Sequence, residues 1–164
     1  MPWSRPGQQP TPVDRTVRAL GLDLGSRRIG VAISDGDGLV ATPIEVVQRS
    51  GDRRGDHRRL AALVEEWEAV VVVVGIPYSM DGSVGPMAGK MVAEAGELAD
   101  HLAVPVETYD ERLTTVTAER SLMEQDLRGP RRRQLVDMVA AAVMLQAWLD
   151  GRRRGRGATG AEDG

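Results

Sequence analysis

Val17-Arg18-Ala19-Leu20-Gly21-Leu22-Asp23-Leu24-Gly25-Ser26-Arg27-Arg28-Ile29-Gly30-Val31-Ala32-Ile33-Ser34 holds two short apolar segments with β-branched residues, Val17 to Leu24 and Arg28 to Ser34, separated by Gly25-Ser26-Arg27. A brief polar break containing glycine between two such segments predicts a tight connection between antiparallel strands. Asp35-Gly36-Asp37-Gly38 predicts a turn into a third strand near Leu39 to Val47, so the fold opens with a three-strand meander. Alternation places Asp23 on one face with Ala19 and Gly21, and Leu20, Leu22 and Leu24 on the other. An acid inside such a strand is costly unless a cation or hydrogen-bond donor meets it, and its small neighbours leave room for one. The competing reading is an Asp at a strand end that accepts from nearby turn amides.

Beyond the meander, Leu60, Leu63, Val64 and Trp67 recur at helical spacing over Asp56 to Trp67, and Val70 to Val74 form an unbroken valine run. Such a run suits a strand covered on both faces. A loop at Gly75 to Gly85, a helix around Met87 to His101 and a strand at Pro105 to Tyr109 follow; two helices, near Thr115 to Leu127 and Arg133 to Asp150, close the body. A meander followed by alternating helices and strands implies an α/β architecture with a mixed five-stranded sheet, antiparallel then parallel, flanked by helices. Residues 16–150 read as one domain. Residues 1–15 and 151–164, poor in apolar side chains, read as flexible tails.

The 164 residues suit a single core of the usual roughly 100 to 200 residues. No apolar run approaches the roughly 18 to 20 residues of a membrane span, and the first residues lack a signal-peptide core. A cytoplasmic protein without membrane contact is therefore expected. The absence of cysteine excludes disulfides and thiolate metal sites, so any metal must be held by oxygen. His57 and His101 read as surface residues rather than ligands. The net charge of -3 conceals local arginine clusters: Arg49 to Arg59, Arg128 with Arg131, Arg132 and Arg133, and Arg152 to Arg156. Guanidinium forks suit phosphate oxygens, and the second cluster is the candidate nucleic-acid contact. Trp67 and Trp148 fall on helix faces expected to pack.

Two further acids stand out. Asp137 is the one ionisable residue between Val136 and Leu149, on a helix face with Ala140, Ala141 and Met144. It could instead complement the helix dipole in an early turn. Glu111, in Asp110-Glu111-Arg112-Leu113-Thr114-Thr115, follows a strand, and strand C-terminal ends are where open α/β sheets place their sites. Asp110 competes with it for that role, and an acidic cap paired with Arg112 is the structural alternative.

Four blocks, Leu22-Asp23-Leu24-Gly25-Ser26-Arg27-Arg28-Ile29-Gly30-Val31-Ala32, Val74-Gly75-Ile76-Pro77 with Met80-Asp81-Gly82-Ser83, Asp110-Glu111-Arg112-Leu113-Thr114-Thr115 and Val136-Asp137-Met138-Val139-Ala140-Ala141, resemble the YqgF/RuvX family in that order, over about residues 18–150. The resemblance implies an RNase H-like fold with Asp23, Glu111 and Asp137 as catalytic and metal-binding residues. Members are described as candidate Holliday-junction resolvases and as nucleases that mature the 5′ end of pre-16S rRNA. It thus implies a hydrolase that uses Mg²⁺ or Mn²⁺ on four-way junction DNA or precursor rRNA, with Arg128, Arg131, Arg132 and Arg133 as nucleic-acid contacts and a homodimer as one option. One departure concerns Gln134-Leu135-Val136, where members often carry a basic residue; Arg131 to Arg133 are the substitutes at hand. A sugar-kinase-like phosphotransferase would need two duplicated domains and does not fit this length. A non-catalytic nucleic-acid-binding or regulatory protein of the same fold is the alternative.

Overall fold

The computed structural model describes residues 18–126 and 129–162. Five strands, β1 (Ala19–Leu24), β2 (Arg28–Ser34), β3 (Ala41–Gln48), β4 (Val71–Ile76) and β5 (Val106–Asp110), form one sheet in the order β3-β2-β1-β4-β5. The first three make the antiparallel meander, while β4 is parallel to β1 and β5 parallel to β4. All six residues of β1 and of β4 are buried, which is why these strands are written in aliphatic residues almost throughout. The residues of the edge strands β3 and β5 are partly or fully exposed, apart from the buried Val47. Pro43, which has no N–H to give, sits in edge strand β3 beside a register shift opposite Val31 and Ala32.

The alternation of β1 sorts its side chains as expected. Leu20, Leu22 and Leu24 join a cluster with Leu60 and Leu63 of α1 (Arg53–Glu66) and Leu98 of α2 (Pro86–His101). On the opposite face Ala19 packs with Ala141, Met144 and Leu145 of α4 (Pro130–Glu162) and with Val116, the first residue of α3 (Val116–Asp126). The sheet is thereby covered by α1 and α2 on one side and by α4 on the other. Among the described residues no helix is long and apolar enough to cross a membrane.

One element differs in extent. Composition assigns the chain after Asp150 to a tail, yet α4 continues to Glu162 and begins at Pro130 rather than Arg133. Proline is tolerated in a helix's first turn, which accounts for the earlier start; beyond Asp150 the arginines and alanines favour helix while Gly151, Gly155, Gly157 and Gly160 oppose it. Lack of apolar surface alone does not stop such a helix. The tail expected at residues 1–15 lies outside the described residues.

Because β1, β4 and β5 are parallel, their C-terminal ends gather at one edge of the sheet. Asp23 is one residue from the end of β1, Gly75 one from the end of β4, and Glu111 follows the last residue of β5.

Candidate active site

Asp23 stands at the centre of this edge, 5% exposed. Its register partner across the β1–β2 pair is Gly30. A methyl group built on Gly30 would lie 2.0 Å from the carbonyl oxygen of Asp137 and 2.5 Å from its carbonyl carbon, so α4 rests directly on the strand here. Only a residue without Cβ permits that approach. On the other flank Val74 pairs with Leu22, which puts Gly75, the next residue, beside Asp23. The gap over Gly75 is filled by Glu111, whose Oε1 lies 2.9 Å from where a Cβ would be. Two glycines on the strands either side of Asp23 thus admit the other two acids from β5 and α4.

The turn after β5 decides between Asp110 and Glu111. Asp110 accepts from the backbone N–H of Arg112 at 2.9 Å and from its guanidinium at 2.6 Å, closing a 3₁₀ turn (Glu111–Leu113). Thr114 Oγ1 donates to the Glu111 carbonyl at 2.6 Å and accepts from Val116 N–H at 3.2 Å, opening α3. Asp110 is therefore occupied in holding the turn, and Glu111 faces the cleft. Asp81 is similarly occupied, accepting from Ser83 N–H at 2.9 Å in an exposed loop.

Electrostatics set these acids apart from ordinary carboxylates. Burial pushes the pKa of Asp23 up, with the Arg120 guanidinium opposing and the charge of Asp137 adding to the rise. Glu111 is pushed up to about 7, by burial first and then by the charge of Asp23. Two arginines answer this concentration of negative charge: Arg120 Nη2 donates to Asp23 Oδ2 at 2.6 Å, and Arg28 Nε to Asp137 Oδ2 at 2.7 Å.

All three acids line one cleft of about 880 Å³, which extends past the β1–β2 turn toward α1 and α2. A second groove of about 410 Å³ adjoins it, sharing Arg28 and Gln48 and lined by Arg132 and Arg133. Of the arginines expected to meet nucleic acid, Arg132 and Arg133 thus flank the acids. Arg131 is exposed at the start of α4, and Arg128 lies outside the described residues.

Several participants carry little mark in the sequence. Arg28 and Arg120 show no pattern that identifies them as carboxylate partners. Gly30 does carry a signal, since an isolated glycine inside a strand indicates close backbone approach. His57 corrects the expectation of a surface residue: it is 5% exposed, with Nε2 2.8 Å from Glu94 Oε2. It belongs to a buried network in which Arg49 donates to both oxygens of Glu94, at 2.8 and 2.7 Å. An arginine-rich stretch looks solvated, and only the facing acid on α2 explains why one side of it is interior. His101, by contrast, is exposed as expected.

The donor set is what a hard divalent cation takes: oxygens only, from three carboxylates whose mutual repulsion such an ion would relieve. Among the described residues, however, no three acidic or imidazole side chains stand close enough together to hold an ion in this conformation. Two of the carboxylates are engaged by arginines instead. The chemistry of the donors fits a metal; the arginine pairs would have to open for it to bind.

Comparison with known proteins places the chain. A protein of Mycobacterium ulcerans named as a candidate pre-16S rRNA nuclease is 51% identical over 138 residues, 83% of this chain and 80% of that one. A Myxococcus xanthus protein of the same name is 48% identical over 137 residues, 84% of this chain and 90% of that one. Among solved structures, T. thermophilus RuvC in complex with a Holliday junction substrate matches with a TM-score of 0.52 at 17% identity, covering 84% of this chain and 96% of that one. That likeness concerns the fold, and it agrees with the expected RNase H-like arrangement. A family profile described as "RuvX: Holliday junction resolvase" matches residues 17–151, and the chain belongs to that family.

Proposed function

We propose that the chain is a divalent-metal-dependent nuclease that hydrolyses phosphodiester bonds at the cleft formed by Asp23, Glu111 and Asp137, and that its substrate is the 5′ precursor segment of 16S rRNA. The observation that carries this reading is the convergence of three acids, 88 and 114 residues from the first in sequence (111 − 23 and 137 − 23), on one cleft with arginines beside it. Relatives about half identical that are named for pre-16S rRNA support the choice of substrate. A cytoplasmic location goes with such a substrate.

Asp23, Glu111 and Asp137 would hold Mg²⁺ or Mn²⁺. When bound, such an ion lowers the pKa of an attacking water and stabilises the leaving oxygen. The remaining work falls to side chains already placed. Glu111, with a pKa near 7, holds a proton on its carboxyl over part of the neutral range and yields it when a cation arrives. Arg28 and Arg120, released from Asp137 and Asp23, are then the nearest guanidinium groups for the non-bridging oxygens of a phosphate. Arg132 and Arg133 would grip the backbone beyond the cut.

A second reading, resolution of four-way DNA junctions, is favoured by the family description. Paired incision of a near-symmetric junction would call for a dimer, whereas trimming an RNA end needs one site. Incubating wild type and Asp23→Asn with precursor rRNA, junction DNA and linear duplex, each with Mg²⁺, Mn²⁺ or chelator, tests both. Metal-dependent cleavage of precursor rRNA that Asp23→Asn abolishes is expected. Cleavage of none of these, or undiminished cleavage by folded Asp23→Asn, overturns the reading.

A further inference from the structure

The end of the cleft away from the α4 arginines is walled by cations that the acids do not use. Arg27, in the β1–β2 turn, and Lys90, on α2, both line the cleft and both are exposed. Neither side chain has a hydrogen-bond or ion-pair partner among the described residues. Their neighbours differ. Arg49 is spent on Glu94, and Arg53 is shared between Glu94, at 3.8 Å, and Glu97, at 3.2 Å. The other acid lining this end, Asp56, is buried and accepts from Ser50 Oγ at 2.8 Å and from Ser50 N–H at 3.1 Å. What this wall presents to the open cleft is therefore the uncompensated charge of Arg27 and Lys90.

The frame beneath Arg27 is stiff. Arg49 Nε donates to the Gly25 carbonyl at 2.8 Å and Arg49 N–H to the Arg27 carbonyl at 2.9 Å, so the arginine clamped by Glu94 also holds both ends of the turn that carries Arg27. Two unpaired cations from separate elements, one presented on a braced turn, suit a ligand with repeated negative charges. They do not suit a single anion, which would need them converging with added donors.

We propose that Arg27 and Lys90 form a second phosphate-binding wall, so that a single nucleic-acid strand is gripped on both sides of the acids. Arg132 and Arg133 hold it in the groove beyond Arg28, and Arg27 and Lys90 hold it at the α2 end. This rests on the nuclease reading and adds to it a contact surface outside the α4 arginines. The ligand is the phosphodiester backbone, whether of RNA or DNA.

Lys90 is the chain's only lysine, which makes the test specific. Binding of fluorescent single-stranded RNA, and of DNA of the same sequence, is measured by anisotropy in chelator from low to moderate salt. The protein is Asp23→Asn, with and without Arg27→Ala and Lys90→Ala together; both added changes are at exposed positions, and matching thermal melts confirm folding. The double change is expected to weaken binding roughly tenfold and to make the salt dependence shallower by about 1.4, at roughly 0.7 for each phosphate no longer neutralised. Lys90→Arg should keep the affinity. An RNA whose 3′ ribose is oxidised to the dialdehyde, placed to reach this wall, should form an imine with the Lys90 amine that borohydride reduces to a stable crosslink, mapped to the Lys90 peptide so as to separate it from reaction at the N-terminal amine, and lost from that peptide in Lys90→Arg. Weakening on one probe alone assigns the wall to that nucleic acid. Unchanged affinity and salt slope on both probes, with Asp23→Asn itself binding, overturns the second wall and leaves the nuclease reading standing. Failure of Asp23→Asn to bind either probe overturns both.

Discussion

Gly30→Ala is the smallest change that should separate the acids while leaving every one of them in place. A Cβ at this position would stand 2.0 Å from the Asp137 carbonyl oxygen, whereas ordinary contact begins near 3.4 Å. The shortfall of about 1.4 Å (3.4 − 2.0) is against helix backbone, which cannot rotate away as a side chain would. Either α4 lifts off β2 or the strand buckles; both move Asp137 relative to Asp23. Overpacking of this kind costs roughly 1 to 3 kcal/mol, and a misplacement of about 1 Å at a reacting centre can cost roughly 10²-fold in rate. Urea unfolding should show the first loss, and turnover of precursor rRNA by the folded fraction should show the second. Gly21→Ala provides the comparison, since its Cβ would stand 2.9 Å from Leu145 Cβ, 3.2 Å from Leu145 Cδ2 and 3.3 Å from the Ala141 carbonyl oxygen, a much smaller shortfall than at Gly30. It should be stable to within about 2 kcal/mol of wild type and keep most activity. A Gly30→Ala protein with wild-type stability and rate would refute the claim that this contact sets the spacing of the site.

Glu111 has a pKa raised to about 7, so the metal-free folded state keeps its proton while the unfolded chain has lost it; stability should fall as pH rises from about 4.5 through 7, and Glu111→Gln should flatten that part of the profile in thermal melts. For the same reason Mn²⁺ affinity and cleavage rate should climb with pH until about 7 and then level. Arg120→Gln removes the cation that competes for Asp23, and calorimetry should find Mn²⁺ binding tighter by roughly tenfold, while an unchanged or weaker affinity would show that the pair does not oppose the metal. Glu94→Gln leaves Arg49 and its neighbours without their buried counter-charge and should cost roughly 3 kcal/mol in urea unfolding at neutral pH. Although burial alone would push the carboxyl of Glu94 up, its bonds to Arg49 and His57 hold it below the usual range; the stabilisation is therefore complete above about 4.5 and fades as pH falls through the depressed value, where the variant and wild type should converge.

How far the residues disclose this arrangement depends on range. Strand alternation is a local property, so the opposite facing of Asp23 and the leucines of β1 is readable from six residues. The helix face of Asp137 follows likewise from spacings of 3, 4 and 7. Which partner each acid meets is not local: Arg28 and Asp137 are 109 residues apart, and Arg120 and Asp23 are 97 apart. Nothing in either neighbourhood predicts the pairing. His57 misleads for the same reason, because Glu94, which draws it inside, lies 37 residues away on another helix. The choice of Glu111 over Asp110 needs the turn itself, where hydrogen bonds to Arg112 occupy one of two adjacent acids. The length of α4 escapes a reading by composition because residues 151–162 hold few apolar side chains and four glycines, so neither burial nor helix propensity signals that the helix continues through them.

Titration of Mn²⁺ into the purified protein by calorimetry, for wild type, Asp23→Asn, Glu111→Gln, Asp137→Asn and the control Asp110→Asn, bears most directly on the three acids acting together. Wild type and Asp110→Asn are expected to bind alike and each of the other three to lose at least roughly tenfold in affinity. A folded variant of Asp23, Glu111 or Asp137 that binds Mn²⁺ as wild type does would contradict the shared site.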